Sequence, residues 1–246
     1  MPSGMTGAQL SALYDAENQW AADDDFFLAF VNERPNSRVL DLGCGTGRIT
    51  LAVAAAGHAV VGIDPNSGSL AAARLKGRAE AVTWIEGTSA TIPQGAIFDV
   101  AIMTAHVAQA INDDGGWSRT LADIHSALVP GGRLAFDSRD IAARAWEDWT
   151  PATTRRVHTL PDGSRVEAWI ESAAEKDGLV TLTEHRMVNG STEDTETSVL
   201  AFRTEDQLRH DLSSAGFAVD RMFGGWAGED VGSGKGELIV IAHKPA

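Results

Sequence analysis

The chain holds a single cysteine, Cys44, so no disulfide can form within it. That usage suits a reducing compartment, and cytoplasm is the expected location. The opening residues MPSGMTGAQLSALYD lack the basic start and apolar centre of a secretory signal. No apolar run approaches the ~20 residues that a membrane span needs, so no membrane partner is expected. Histidines stand singly at His58, His106, His125 and His158, without ligand-like spacing, and no metal is expected. Basic charge is scarce: 20 Lys and Arg face 34 Asp and Glu, for a net charge of −14. A field of that sign repels polyphosphate and argues against a nucleic-acid partner. The densest basic clusters, Arg155–Arg156 and Arg74–Lys76–Arg78, are short and read as solvated surface, as does Asp113–Asp114.

What is present is ordinary in composition and ordered in pattern. With 246 residues, 43% apolar and 22% charged, the chain can build one large α/β domain or a domain with an inserted subdomain. Apolar spacing predicts a helix over 8–31, broken by the acidic run Asp23–Asp25. Strands are predicted at 37–42, 59–64, 81–87, 98–105 and 133–139. Helices at about 47–56, 67–78 and 117–128 separate most of them, the last stopping at Pro130-Gly131-Gly132. Alternation of this kind implies a parallel sheet covered by helices on both faces.

Between 150 and 203 the texture changes. Asp162-Gly163, Asp177-Gly178 and Asn189-Gly190 are hairpin signals between β-branched or alternating stretches, predicting an antiparallel meander of about four strands. A helix at 204–216 and strands at 217–226 and 236–244 follow. The expected division is therefore a core over 1–149, a β insertion over 150–203 and a return to the core over 204–246. The insertion is expected to roof a substrate pocket or to pair with a second copy in a homodimer.

The most informative stretch is VLDLGCGTGRIT, residues 39–50. A strand ends at Asp41, and glycines follow at 43, 45 and 47 before a helix. The dinucleotide fingerprint G-x-G-x-x-G would need glycine at 48 or 50, where the chain has Arg48 and Thr50. That reading is excluded. The remaining pattern, Asp-x-Gly-x-Gly-x-Gly, resembles motif I of the class I S-adenosylmethionine-dependent methyltransferases. VVGID, FDVAIMTAH and LVPGGRLAFDSR extend the resemblance over about 37–140 and 204–244. The ensemble looks most like bacterial small-molecule methyltransferases related to ubiquinone- and sugar-amine-methylating enzymes.

The resemblance implies a Rossmann-like, seven-stranded, mostly parallel sheet, with the meander inserted before the last helix. It also implies S-adenosyl-L-methionine as cofactor, with S-adenosyl-L-homocysteine as product. An open sheet of this kind binds ligands at the carboxyl ends of its strands. Asp41 would organise the glycine loop or reach the cofactor ammonium. Gly43, Cys44, Gly45 and Gly47 would line it, with Cys44 packing rather than attacking. Asp64, seventeen residues past Gly47, would accept from the ribose hydroxyls, with Pro65 beside it. The family usually has Gly-Asp-Ala after the third strand, where this chain has Gly87-Thr88-Ser89. Thr88 or Ser89 would then serve adenine without a carboxylate. Thr104 closes the fourth strand, and Tyr14, on the N-terminal helix, would touch the cofactor or pack.

His106, two residues past Thr104, is the candidate general base, or else a histidine that lines the pocket or orders water. Gln109, Arg139 and Trp226 are candidate acceptor contacts. Arg139 could pair with an acceptor carboxylate or bridge Asp140 or Glu147, and Trp226 could wall a pocket. No Asn/Asp-Pro-Pro-aromatic motif and no Pro-Cys nucleophile is present. The implied reaction is an in-line SN2 methyl transfer to a small molecule. The alternative is a cofactor-binding sensor or an inactive partner protein.

Overall fold

The computed structural model describes residues 4–95, 97–173 and 176–246. Two helices open the chain, α1 (Gly7–Glu17) and α2 (Ala22–Asn32). The sequence predicts one helix here, and the break has a local cause. Asn18 ends α1 by returning both its backbone N–H and its side-chain amide to the Tyr14 carbonyl, at 2.9 Å each. Asp24 then receives the Ala21 N–H at 3.0 Å. The acids Asp23–Asp25 are thus the first turn of α2, where negative charge meets the helix dipole favourably.

The core alternates as expected: β1 (Arg38–Leu42), α3 (Arg48–Ala55), β2 (Ala59–Asp64), α4 (Ser67–Leu75), β3 (Val82–Glu86), β4 (Phe98–Met103), α5 (Val107–Ala110), α6 (Asp114–Ala127) and β5 (Leu128–Arg139). Three of the boundaries that move have a local cause. β4 stops two residues early because Ala105 and His106 turn into positive φ. α6 starts at Asp114, capped by the Asp113 carboxylate on the Gly116 N–H at 2.6 Å. β5 begins at Leu128, because Pro130-Gly131-Gly132 forms an irregularity inside the strand: Leu128 pairs with Phe98, then Arg133 with Val100.

After a short helix, α7 (Pro151–Thr154), come β6 (Arg156–Thr159), β7 (Arg165–Ser172), β8 (Leu179–Val188) and β9 (Thr192–Ala201). They form a separate four-stranded antiparallel sheet in simple meander order. The chain returns through α8 (Glu205–Ser214), β10 (Ala218–Phe223) and β11 (Glu237–His243). The main sheet has seven strands in the order β10-β11-β5-β4-β1-β2-β3, with β11 antiparallel to both neighbours. Strand order reverses between β1 and β4, so their carboxyl ends flank the switch-point crevice.

Each face of the main sheet carries its own core. One gathers Leu40, Ile63, Met103, Trp117, Leu121 and Phe136, and the other Phe27, Val31, Val39, Val53 and Ile102. The insertion is tied down at two places. Leu13 of α1 meets Leu160, Val166 and Ala168, and Trp146 meets Val180 and Phe202. Among the described residues no helix is long and apolar enough to cross a membrane.

Candidate active site

The glycine loop leaves β1 at the switch point. Gly43, Gly45 and Gly47 all have positive φ, at 80°, 53° and 80°. At Gly43 space matters as much as angle: a Cβ there would lie 2.3 Å from Val107 Cγ2. The Gly43 and Cys44 amides both donate to the Ile63 carbonyl, at 2.7 and 3.1 Å, which pins the loop to β2.

Two carboxylates sit beneath it. Asp41 is fully buried; one oxygen accepts the Thr50 hydroxyl at 2.5 Å and the other has no partner. Burial pushes its pKa up to about 7, with the Thr50 bond opposing and Asp64 adding. Asp64 is drawn under the loop, accepting the Gly45 N–H and the Asn66 N–H at 2.8 Å each. Sequence reading made it a ribose acceptor only, but it also fixes the loop. A carboxylate oxygen accepts more than one bond, so capacity for a ribose hydroxyl remains.

A narrow cleft opens beside the loop. Its lining includes Tyr14, Cys44, Thr46 and Arg48, together with Thr104 and Ala105. Tyr14 of α1 is thus part of the cleft lining. The Cys44 thiol is buried, and burial raises its pKa well above the ordinary value, followed by the charges of Asp41 and Asp64, so it is no nucleophile. Thr88 lies exposed at the end of β3. Ser89 does not stand free for adenine: its hydroxyl donates to Asp123 at 2.6 Å and is tied to α6. Pro65 follows Asp64 at the start of the β2–α4 turn.

Sequence reading missed the strap that holds α1 over this cleft. Asp15 meets the Thr46 hydroxyl at 2.5 Å and Lys76 at 2.7 Å. Arg48, used above only to exclude a dinucleotide, donates to the Gln19 carbonyl at 2.7 Å and to Asp24 at 2.6 Å. Acids and hydroxyls scattered along a helix give no spacing signal for such contacts.

A second cluster begins one residue past Ala105 of the cleft lining. Ala105 and His106 have φ of 55° and 62°, unusual for residues with a Cβ. The turn is held by Asp137 of β5, which accepts the His106 backbone N–H at 3.0 Å. His106 Nε2 lies 3.0 Å from Glu237 of β11 and 3.3 Å from Asp137. Asp137 is fully buried, which pushes its pKa up to about 6; His106 opposes that rise and Glu237 adds to it. Its second oxygen has no partner. The sequence has no metal-ligand spacing, yet the fold brings these three side chains within 4.8 Å of one another, close enough to hold a cation.

Gln109 is fully buried at the end of α5. Its amide oxygen accepts from Arg139 Nη1 at 2.9 Å, and the guanidinium lies 5.1 Å from the centre of the Trp149 ring. Burial lowers the Arg139 pKa, against the pull of Glu237 and Asp137. Arg139 bridges neither Asp140 nor Glu147, since Glu147 pairs with Arg144 at 2.5 Å and Asp140 caps the Ala142 N–H at 2.9 Å. Arg139, Gln109 and His106 thus share one neighbourhood. Trp226 does not join them: it lies outside β10 and packs edge-on against Phe26 and Phe27, at 5.7 and 5.8 Å, because α2 offers aromatic partners there.

The residues around the cleft fit S-adenosylmethionine. The cradle has no room for a Cβ at Gly43, and beneath it lies a buried acid, Asp41, with one oxygen unpartnered. Comparison with known proteins agrees. A family model described as a methyltransferase domain matches residues 39–132. The cypemycin N-terminal methyltransferase of a Streptomyces species is 27% identical over 208 residues, covering 84% of this chain and 82% of that protein. Among solved structures, the CcbJ methyltransferase of Streptomyces caelestis aligns over 100% of both chains with a TM-score of 0.78 at 17% identity. The S-adenosylmethionine-bound amino pentose methyltransferase CalS10 of Micromonospora echinaspora aligns over 96% of both chains, with a TM-score of 0.68 at 21% identity. Residues 39–132 thus match a methyltransferase domain, and the seven-stranded sheet with its inserted meander has the Rossmann-like fold of solved S-adenosylmethionine-dependent methyltransferases.

Proposed function

We propose that the chain methylates an amine nitrogen of a small molecule seated against His106, and that His106 takes the proton which that nitrogen gives up. The observation that carries the reading is position: Thr104 and Ala105 line the cleft, and His106 is the next residue. Charge favours nitrogen over oxygen. Asp137 and Glu237 outnumber Arg139 around the imidazole, and an amine arrives as a cation. The names of two relatives, an N-terminal methyltransferase and an amino pentose methyltransferase, point the same way.

The bound cofactor supplies an electrophilic methyl group on a sulfonium. The chain supplies alignment and a dry approach. Tyr14 and the Asp15–Thr46 strap keep α1 over the cleft and exclude water. Arg139, oriented by Gln109 and Trp149, holds the far side of the acceptor. His106 would free the acceptor nitrogen of its proton and so leave its lone pair available to the methyl group that bound S-adenosylmethionine would supply. The products are the methylated amine and S-adenosylhomocysteine.

The test is methyl-labelled cofactor offered with paired acceptors, amino sugars and peptide amines against their hydroxyl counterparts. Label in the amine member supports the reading, and label confined to the hydroxyl member refutes it.

A further inference from the structure

We propose that Asp137 and Glu237 are positioning residues that hold a proton on His106 Nε2, so that Nδ1 is the nitrogen which accepts the acceptor's proton. The inference rests on His106 being the base.

A neutral imidazole has one N–H and one lone pair, and a neighbour that can only accept selects where the N–H sits. Nε2 faces two such neighbours, Glu237 Oε2 at 3.0 Å and Asp137 Oδ2 at 3.3 Å. Ionised carboxylates cannot donate to a bare nitrogen, so Nε2 carries the hydrogen and the lone pair falls on Nδ1. The same Asp137 oxygen receives the His106 backbone N–H at 3.0 Å, so one group fixes both the ring and the turn that presents it. That turn needs fixing, with φ of 55° and 62° at Ala105 and His106.

The burial pattern separates the roles. The Asp137 side chain is 1% exposed and lies behind the ring, where no acceptor reaches it, while those of His106 and Glu237 are 20% and 19% exposed. Arg139, paired in register with Glu237, is the cation on these strands that acts on both Asp137 and Glu237. Proton flow balances: Nδ1 takes the acceptor's proton, the resulting imidazolium keeps its Nε2–H on the carboxylates, and Nδ1 returns its proton to water after product leaves. The arrangement is invisible in sequence because His106 and Glu237 are 131 residues apart.

The experiment combines nitrogen NMR of histidine-labelled protein, assigned with His106→Ala, and kinetics on Glu237→Gln, Glu237→Asp and Asp137→Asn. The expected spectrum places the proton on Nε2 of neutral His106. Glu237→Gln should lower kcat roughly 10–100-fold with acceptor KM and cofactor Kd unchanged, less than the roughly 10²–10⁴-fold that a general base contributes. It should also move the acidic limb of the kcat profile about one pH unit lower, as loss of a neighbouring opposite charge does. Glu237→Asp should recover part of the rate. Asp137→Asn should lower kcat similarly, and equal cofactor binding shows that it is folded. A proton on Nδ1 in a protein whose His106→Ala variant is inactive overturns this inference alone. A fully active His106→Ala variant overturns the base reading and this inference together. Loss of activity with EDTA that Mn2+ or Zn2+ restores would make the three side chains cation ligands, and would overturn it as well.

Discussion

The glycine loop and the His106 cluster sit at neighbouring strand ends of one sheet, and they are built in opposite ways. The loop is local: Asp41, Gly43, Gly45, Gly47 and Thr50 lie within one strand–turn–helix unit, with Asp64 one strand on. Its chemistry is backbone and shape. The His106 cluster is assembled from α5, β5, β11 and the loop carrying Trp149, and its chemistry is charge. The two are joined at Ala105. One end of the site can therefore be specified once for a shared cofactor, while the other is free to vary with the acceptor.

Breaking the local end should have the largest effect. Gly43→Ala places a Cβ against Val107 at positive φ, costing about 1–2 kcal/mol for the angle and about 1–3 kcal/mol for the clash. The loop must shift, and cofactor affinity should fall on the order of 100-fold by calorimetry. Unaltered affinity would show that the loop is not the cradle.

Breaking the assembled end should spare the cofactor. Arg139→Lys removes the planar group oriented by Gln109 and Trp149, and acceptor KM should rise roughly tenfold with cofactor Kd unchanged. A change in cofactor Kd instead would merge the two ends.

Asp41 gives a smaller, pH-dependent contrast. Its folded pKa, about 7, lies above the unfolded carboxylate value. The unfolded state thus loses its proton first, and stability falls as pH rises from about 4 through about 7, then levels. Denaturant unfolding of the wild type against Asp41→Asn at pH 5 and pH 8 checks this: the wild type should lose ground at pH 8. Cofactor binding should run the other way, tightening across the same window, because a cationic ammonium favours ionised Asp41. A pH-independent difference would remove the assignment.

Trp226→Phe is expected to do least. Its ring packs on Phe26 and Phe27, so stability should drop modestly and acceptor KM should not move. A raised KM would return Trp226 to the acceptor pocket.

Legibility in the sequence follows the same division. The sheet, the meander and the cofactor loop could be read because they rest on hydrophobic period, hairpin dipeptides and contiguous glycines. The split between α1 and α2 was missed because Asp23–Asp25 reads equally as an interruption or as a first turn. Arg139 and Gln109 could be proposed from their places after strands, but their bond could not. Asp137 was passed over as the end of a strand, and Glu237 as the start of one, because only the antiparallel register of β11 on β5 brings Glu237 to the site. The tie of the Ser89 hydroxyl to Asp123 could not be read, because Asp123 lies on α6 across the loop.

The most direct test measures labelled methyl transfer at saturating cofactor alongside S-adenosylhomocysteine binding, in the wild type and in His106→Ala. The account predicts equal binding and a rate lowered by roughly 10²–10⁴ at every pH in the variant. An unchanged rate, or a loss of binding that matches the loss of rate, would contradict a site divided between a cofactor cradle and a His106 pocket.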